Sequence, residues 1–434
     1  GPQAQLPYEV EGATQDRILQ ALEGCERWDW SIFRLHHACE GRVLEVLGWH
    51  ILVTEWQLPQ KFHMNPKTLQ NWLEYVQNTY ETTPYHNATH AADVLQTVHF
   101  MLKTAQVDKF LTDIEIFSLL VAAIVHDLGH DGRNNLYHKN AVTERAIMFN
   151  DQGIQENYHA MTIFARMKEH AELNILQSFS TAQYIEIRRL MISVILTTDM
   201  TKHFSFLKDF KNEVEKKGTE PSDWTESTEM IMQFILHAAD ISNPAKPFPV
   251  ASEWTERVLA EFFEQGDQEK ELGLPISPQC DRDKTSRAAS QIGFIKFIVM
   301  PTFEALGGLL PKIQSICQPE LVKNLENWYV IAESCPIAAQ GSFVKNVKPT
   351  KKVDNSGGSF GRARSAEAQT PKSPTSFEEG SKNGGRQAMS EEDSGSRRGW
   401  KGKASAQFSN LSQSFSGSLK VMTSVIGGGK NGQV

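Results

Sequence analysis

Residues 84–96 read PYHNATHAADVLQ and residues 121–135 read VAAIVHDLGHDGRNN. His86 and His90 stand four apart, as do His126 and His130, and Asp127 follows His126 directly. On a helix, residues four apart share a face. The neighbours of these histidines are ordinary helix material: an alanine-rich run follows the first pair, and the apolar VAAIV leads into the second. Imidazoles gathered at the ends of helical stretches set both the fold class and the kind of site to expect.

The helical pattern continues in both directions. TLQNWLEYVQNTY (68–80) puts Leu69, Trp72, Leu73 and Val76 on one face. DIEIFSLLVAAIVHD (113–127) and YIEIRRLMISVILTTDM (184–200) are strongly apolar and free of Gly and Pro, as interior helices are. TEMIMQFILHAADIS (228–242) reads the same way, and QIGFIKFIVMPTFEAL (291–306) is as apolar despite Gly293 and Pro301. No alternating strand pattern or internal repeat interrupts them. The spacing predicts one all-α, compact multi-helix domain over residues 14–340, after a cleavage scar and linker at 1–13 that opens with GP.

Beyond ESCPIAAQ (333–340) the composition turns to Ser, Gly and charge, which cannot bury enough apolar area to offset the entropy of ordering. Residues 341–434 therefore read as a mostly disordered basic tail. Phe408, Leu411, Phe415, Leu419, Met422 and Ile426 fall at helical spacing within it. That is either chance in a low-complexity segment or a helix that forms on a partner or membrane surface.

The formal net charge is −8. The tail holds fifteen Lys and Arg against seven Asp and Glu, so it carries +8 and the remainder −16. So acidic a body excludes sequence-independent nucleic-acid binding, which runs on phosphate neutralisation by Lys and Arg. Cys25, Cys39, Cys280, Cys317 and Cys335 are odd in number and lack close pairs, which speaks for a reducing compartment. Runs such as LLVAAIV fall short of the ~20 residues of a membrane span.

A lone histidine on a helix is usually a satisfied core or surface residue. Several at ligand spacing beside aspartates are another matter. Asp240, in FILHAADISNP (234–244), ends an apolar helix where an unpaired carboxylate is costly. Imidazole and carboxylate without thiolate suit Zn, Mn, Fe or Mg, and not a structural cysteine-type zinc site. Few protein ligands leave an open shell, the arrangement of an HD-type metal hydrolase.

Taken in order, PYHNATHAADVLQ, HDLGHDGRNNLY, QENYH, LTTDMTKHF, ADISNPAKP, WTERVLAEFFEQGDQEKELGLPISPQCDR and SQIGFIKFIVMPTFEAL closely resemble the catalytic domain of the class I 3′,5′-cyclic-nucleotide phosphodiesterases. The likeness runs from about residue 28 to 335. It implies an all-α domain of the HD superfamily and hydrolysis of cAMP, cGMP or both to nucleoside 5′-monophosphates. The implied mechanism is in-line attack by a metal-bridging hydroxide. The resemblance assigns His90, His126, Asp127 and Asp240 to a tight metal site, zinc in the family, with Asp127 bridging to a second metal, Mg or Mn, whose shell is otherwise water. It assigns His130 and Thr198 to holding those waters, His86 to the general acid, and Glu156 to orienting His86. Gln291 matches the glutamine that reads the purine edge, Phe294 and Val258 the clamp on the ring, and Asn243, Tyr85 and Phe262 the pocket wall.

There are departures. Gly129 stands where relatives often carry an acid, and Ala251 where some cAMP-selective relatives have a tyrosine that locks the glutamine. Without that lock, Gln291 is expected to flip its amide and accept both bases. Asn243 leans towards adenine but also occurs in a cGMP-selective relative. Two other readings stand beside this one: a different HD-superfamily nucleotide phosphohydrolase, which leaves Gln291, Phe294 and Val258 unexplained, and a non-catalytic cyclic-nucleotide sensor, which predicts a lost ligand or acid. The expected partner is a cyclic purine nucleotide, with no nucleic acid and with room for a homodimer. The expected setting is a cytosolic domain fused N-terminally to a regulatory or membrane module, one candidate parent being a microbial-eukaryote rhodopsin–phosphodiesterase fusion.

Overall fold

The computed structural model of the chain describes residues 6–334. Cys335, the tail and its amphipathic 408–426 segment lie outside the described residues. Among those residues the fold is all-helical, with no strand.

Two buried helices form its centre. Asp113–Val125 is apolar on nearly every face and buried from Ile116 onward, as its uninterrupted hydrophobic run dictates. It packs against Ala88–Lys103 and Thr181–Leu196. Each fully buried Leu, Ile or Phe on it contributes about 1.5–3 kcal/mol relative to exposure. Thr112 and Glu115 close a reciprocal capping box at its start, and Ser180 with Gln183 does the same for Thr181–Leu196. Ala88–Lys103 is buried along its length even at Asp93, Gln96 and His99, and Thr228–Asp240 packs across it. The start of Ala88–Lys103 and the ends of the other two helices converge, and those termini carry the histidines and aspartates.

The folded region begins before residue 14, correcting the linker expectation. A helix spans Gly12–Leu22, Pro7 is buried, and the Arg42 guanidinium lies 3.6 Å from the centre of the Tyr8 ring. Short, polar and without periodicity, this segment gave no sequence signal, yet a cation–π contact holds it down.

The continuous helical run Arg287–Leu309 corrects the expectation about membrane spans too. It is long and apolar enough to cross a bilayer, but over half of its apolar window is buried within the domain. It packs instead against the long helix Pro311–Ser334. Cys25, Cys39, Cys280 and Cys317 are free and buried.

The helix Phe248–Glu271 is pressed onto the 277–281 loop at Gly266, where a β-carbon would lie 1.9 Å from the Cys280 carbonyl oxygen. Backbone cannot yield as a side chain does. Gly266→Ala is therefore expected to cost about 1–3 kcal/mol by overpacking, read as a lowered urea midpoint.

Candidate active site

Asn87 caps Ala88–Lys103 by accepting from the backbone N–H groups of Thr89 and His90, which sets His90 in the first turn. His126 follows Val125 at the end of its helix, and its Nδ1 donates to the Ala123 carbonyl at 2.9 Å. That bond holds the ring so that Nε2 faces the carboxylates. His126 Nε2 lies 3.1 Å from Asp127 Oδ2 and 3.4 Å from Asp240 Oδ1. His90 Nε2 lies 3.1 Å from Asp240 Oδ1 and 3.4 Å from Asp127 Oδ2. One ligand atom from each of the four falls within 4.8 Å of all the others. The residues named from sequence as the tight metal site are brought together.

This group fits a divalent cation. His126 Nε2 and Asp127 Oδ2 are buried with no hydrogen-bond partner. Two carboxylates face each other, and Asp240 ends a helix, where the dipole disfavours negative charge. Burial acts to raise both carboxyl pKa values, but His126 and His90 outweigh it and hold Asp127 and Asp240 well below the usual range. Burial likewise acts to lower His126, and the two aspartates raise it well above the imidazole range. Protons thus stand where a cation would otherwise balance the charge, and binding would release them. All four donors are nitrogen or oxygen, the set that suits zinc or a harder divalent ion.

Beside it sits a second group, His86, His130 and Glu261. His86 Nδ1 is hydrogen-bonded to Glu261 Oε1. Glu261 Oε2 accepts from the backbone N–H of Tyr85 at 2.9 Å and of His86 at 3.0 Å. One carboxylate therefore holds both the ring and the turn that carries it. Burial would lower the His86 pKa, but Glu261 overrides it and raises the value to about 9. Glu261 moves the other way, down to about 2, as His86 outweighs its own burial. The His130 ring stacks on His86 with centroids 3.9 Å apart. Burial and the charge on His86 push His130 well below its ordinary value, opposite to the shift of His86.

Glu156 does not orient His86, which corrects the sequence assignment. Its carboxylate accepts from Asn135 Nδ2 at 2.9 Å, and burial with Asp199 nearby pushes its pKa up to about 7. Glu261 fills the role instead. Thr198 is buried, and its hydroxyl donates to the Ile195 carbonyl at 2.8 Å, leaving its oxygen as an acceptor.

Tyr85 joins the two sides of the pocket. Its ring centroid is 4.5 Å from that of His90, and its hydroxyl donates to Asn243 Oδ1 at 2.5 Å. Asn243 Nδ2 donates in turn to Asp93 Oδ2 at 3.0 Å, so the orientation of this amide is set. Gln291 is buried on Arg287–Phe294, and Phe294 is half-buried at the end of that helix. Val258 and Phe262, one turn apart on Phe248–Glu271, pack against Leu259, Ala260 and Phe263. That helix packs on Arg287–Phe294 and also supplies Glu261.

Asp93, His159 and Glu261 went unnamed in the sequence. His159 donates from Nδ1 to the Leu128 carbonyl at 2.9 Å, and its Nε2 lies 3.7 Å from Asp127 Oδ1. Its place in QENYH, one turn beyond Gln155, was the signal available.

Comparison with known proteins identifies relatives of the chain. Residues 85–319 match the family model described as 3′5′-cyclic nucleotide phosphodiesterase. The chain is 35% identical over 345 residues to rat 3′,5′-cyclic-AMP phosphodiesterase 4C, covering 77% of this chain and 63% of the relative. It is 40% identical over 301 residues to the bovine dual specificity calcium/calmodulin-dependent 3′,5′-cyclic nucleotide phosphodiesterase 1B, covering 68% and 54%. It thus spans less than two thirds of either relative. Among solved structures, the phosphodiesterase domain of a RhoPDE fusion protein from the choanoflagellate Salpingoeca rosetta aligns at a TM-score of 0.66 and 28% identity, over 73% of this chain and 98% of that one. LmjPDEB1, solved with IBMX, aligns at 0.67 and 28%, over 76% and 100%.

Proposed function

Because the chain belongs to the 3′,5′-cyclic nucleotide phosphodiesterase family, we propose that it hydrolyses cAMP and cGMP to nucleoside 5′-monophosphates with the help of two divalent cations. The observation that carries this reading is the buried His90, His126, Asp127 and Asp240 group beside a His86 held by Glu261. His90, His126, Asp127 and Asp240 would hold the tighter cation, for which zinc suits the donor set. Asp127 would be shared with a second, Mg or Mn, with His130 and Thr198 steadying its waters. When bound, such a pair activates water at neutral pH and neutralises the phosphoryl oxygens as charge builds.

The chain's own residues supply the rest. His86 donates its Nε2 proton to the departing 3′ oxygen, and Glu261 holds the ring by Nδ1 and keeps it charged. Phe294 and Val258 grip either purine by stacking and apolar contact, which sets affinity without choosing a base. Selectivity falls to hydrogen bonds from Gln291 and Asn243. The amide of Asn243 is already committed to Tyr85 and Asp93, so acceptance of both bases rests on rotation of Gln291.

The reading is tested by phosphate release in a coupled nucleotidase assay with each cyclic nucleotide, before and after chelation. Turnover of both that stops with chelator and returns with Mn or Mg supports it; no release from either rejects it. Ala251→Tyr adds a hydroxyl where none exists. The ratio of the two kcat/KM values is expected to shift by about one hydrogen bond, ~1 kcal/mol or several-fold. A wild type specific for one base, and unchanged by Ala251→Tyr, would move selectivity to pocket shape.

A further inference from the structure

We propose that Asp131 is a positioning residue for the second cation, acting through a polar clasp on the loop that carries Asp127 and His130. This rests on the two-cation reading above.

The loop between the helices Asp113–Val125 and Asn135–Ala141 has two residues at positive φ, Gly129 at +76° and Gly132 at +75°. Backbone bonds from the Leu128 N–H to the Val125 carbonyl and from the His130 N–H to the Asp127 carbonyl turn this segment, and side chains fasten it to the helices around it. Asp131 Oδ1 accepts from Gln155 Nε2 at 2.8 Å and from His138 Nε2 at 3.2 Å, and from the Arg133 backbone N–H at 3.3 Å. Arg145 Nη1 lies 3.6 Å from Asp131 Oδ2, and its Nη2 donates to the Gly129 carbonyl at 3.1 Å. Gln155 also donates to the Arg133 carbonyl at 2.7 Å and accepts from Arg145 Nη1 at 2.7 Å. The Arg145 guanidinium carbon lies over the Tyr158 ring, 3.7 Å from its centre, and that ring would sit 3.1 Å from any β-carbon at Gly129. One carboxylate thus ties the loop to the helices Asn135–Ala141, Glu144–Met148 and Ile154–Glu169.

The output of the clasp is the turn 131–133. There the Gly132 N–H donates to His130 Nδ1 at 3.0 Å. In a neutral imidazole only one nitrogen carries a proton, so this bond assigns it to Nε2. His130 is the residue placed next to the waters of the second cation. Asp131 touches neither cation nor substrate; it fixes which nitrogen of His130 faces them as a donor.

The test is Mn²⁺ binding to zinc-loaded protein, read by electron paramagnetic resonance of the free ion, without any turnover. Asp131→Ala is expected to bind Mn²⁺ about tenfold more weakly, the low end for lost outer partners of a metal site. Zinc content should stay at the wild-type level. Asp131→Asn, which keeps the acceptor oxygen, should recover most of the affinity. Gln155→Ala, which cuts one arm and leaves the loop sequence intact, should weaken binding in the same direction. A purely structural residue would lower the thermal midpoint and leave Mn²⁺ affinity of the folded protein alone; equal affinity in wild type, Asp131→Ala and Gln155→Ala would overturn the proposal. Failure of the wild type itself to bind Mn²⁺ would overturn the two-cation reading and this inference with it.

Discussion

Asp240→Ala is expected to reduce turnover of both cyclic nucleotides by at least about a thousandfold, some 4 kcal/mol of transition-state stabilisation, and to strip the tight cation. Asp240 Oδ1 is the atom that both His90 Nε2 and His126 Nε2 approach. Without it, two imidazoles and Asp127 remain, and the group loses one of its two carboxylates. His126→Ala should fail the same way, because its bond to the Ala123 carbonyl aims Nε2 into the site. Metal content by plasma emission should fall in step with rate. Full activity in a metal-free Asp240→Ala preparation would remove the cation from the mechanism.

Proton delivery gives the second large effect. His86→Ala is expected to lower kcat by ~10²–10⁴-fold with bound zinc intact, the range for lost acid–base catalysis. A p-nitrophenyl phosphodiester, whose leaving group needs no proton, should be hurt far less; equal damage to both substrates would give His86 another role. The pH dependence follows from Glu261. The acid works only while protonated, so kcat falls as pH rises through the His86 pKa, which stands raised to about 9. Nearby cations oppose that rise by repulsion, and Glu261 sustains it. Glu261→Gln removes the sustaining charge, so the descending limb should move to lower pH, with a greater loss at alkaline than at acidic pH. An unmoved limb would mean that another group sets it.

The His–Asp group was legible in part from spacing and in part from the resemblance: the paired histidines and Asp240 at the end of an apolar helix pointed to a cation, but the choice of His90 over His86 and of His126 over His130 came from the resemblance. Glu261 was not legible in that way. It stands 175 residues from His86, inside a helix with many acids, and only tertiary packing selects it. A trace existed: Trp254 and Val258 begin a stripe that continues at three- and four-residue helical spacing into Glu261, Gln265 and Glu269, all three buried. Polar residues on a core stripe signal partners elsewhere, here His86 for Glu261, Asn134 for Gln265 and Ser277 for Glu269. Glu156 drew attention by lying in QENYH, but its carboxylate turns to Asn135. The N-terminal segment failed for the opposite reason: Tyr8 meets Arg42 through a cation–π contact and Gln70 donates to the Pro7 carbonyl, which leave no periodic trace.

The most direct test is stepwise reloading of the chelated protein, with metal content and product formation followed in the same samples. The four-ligand cluster and the acid beside it predict no turnover in the stripped protein. They predict recovery on adding zinc and then Mg or Mn, with nucleoside 5′-monophosphate appearing from both cAMP and cGMP. Wild-type rates in fully stripped protein, or no 5′-monophosphate after both sites are refilled, would contradict the account.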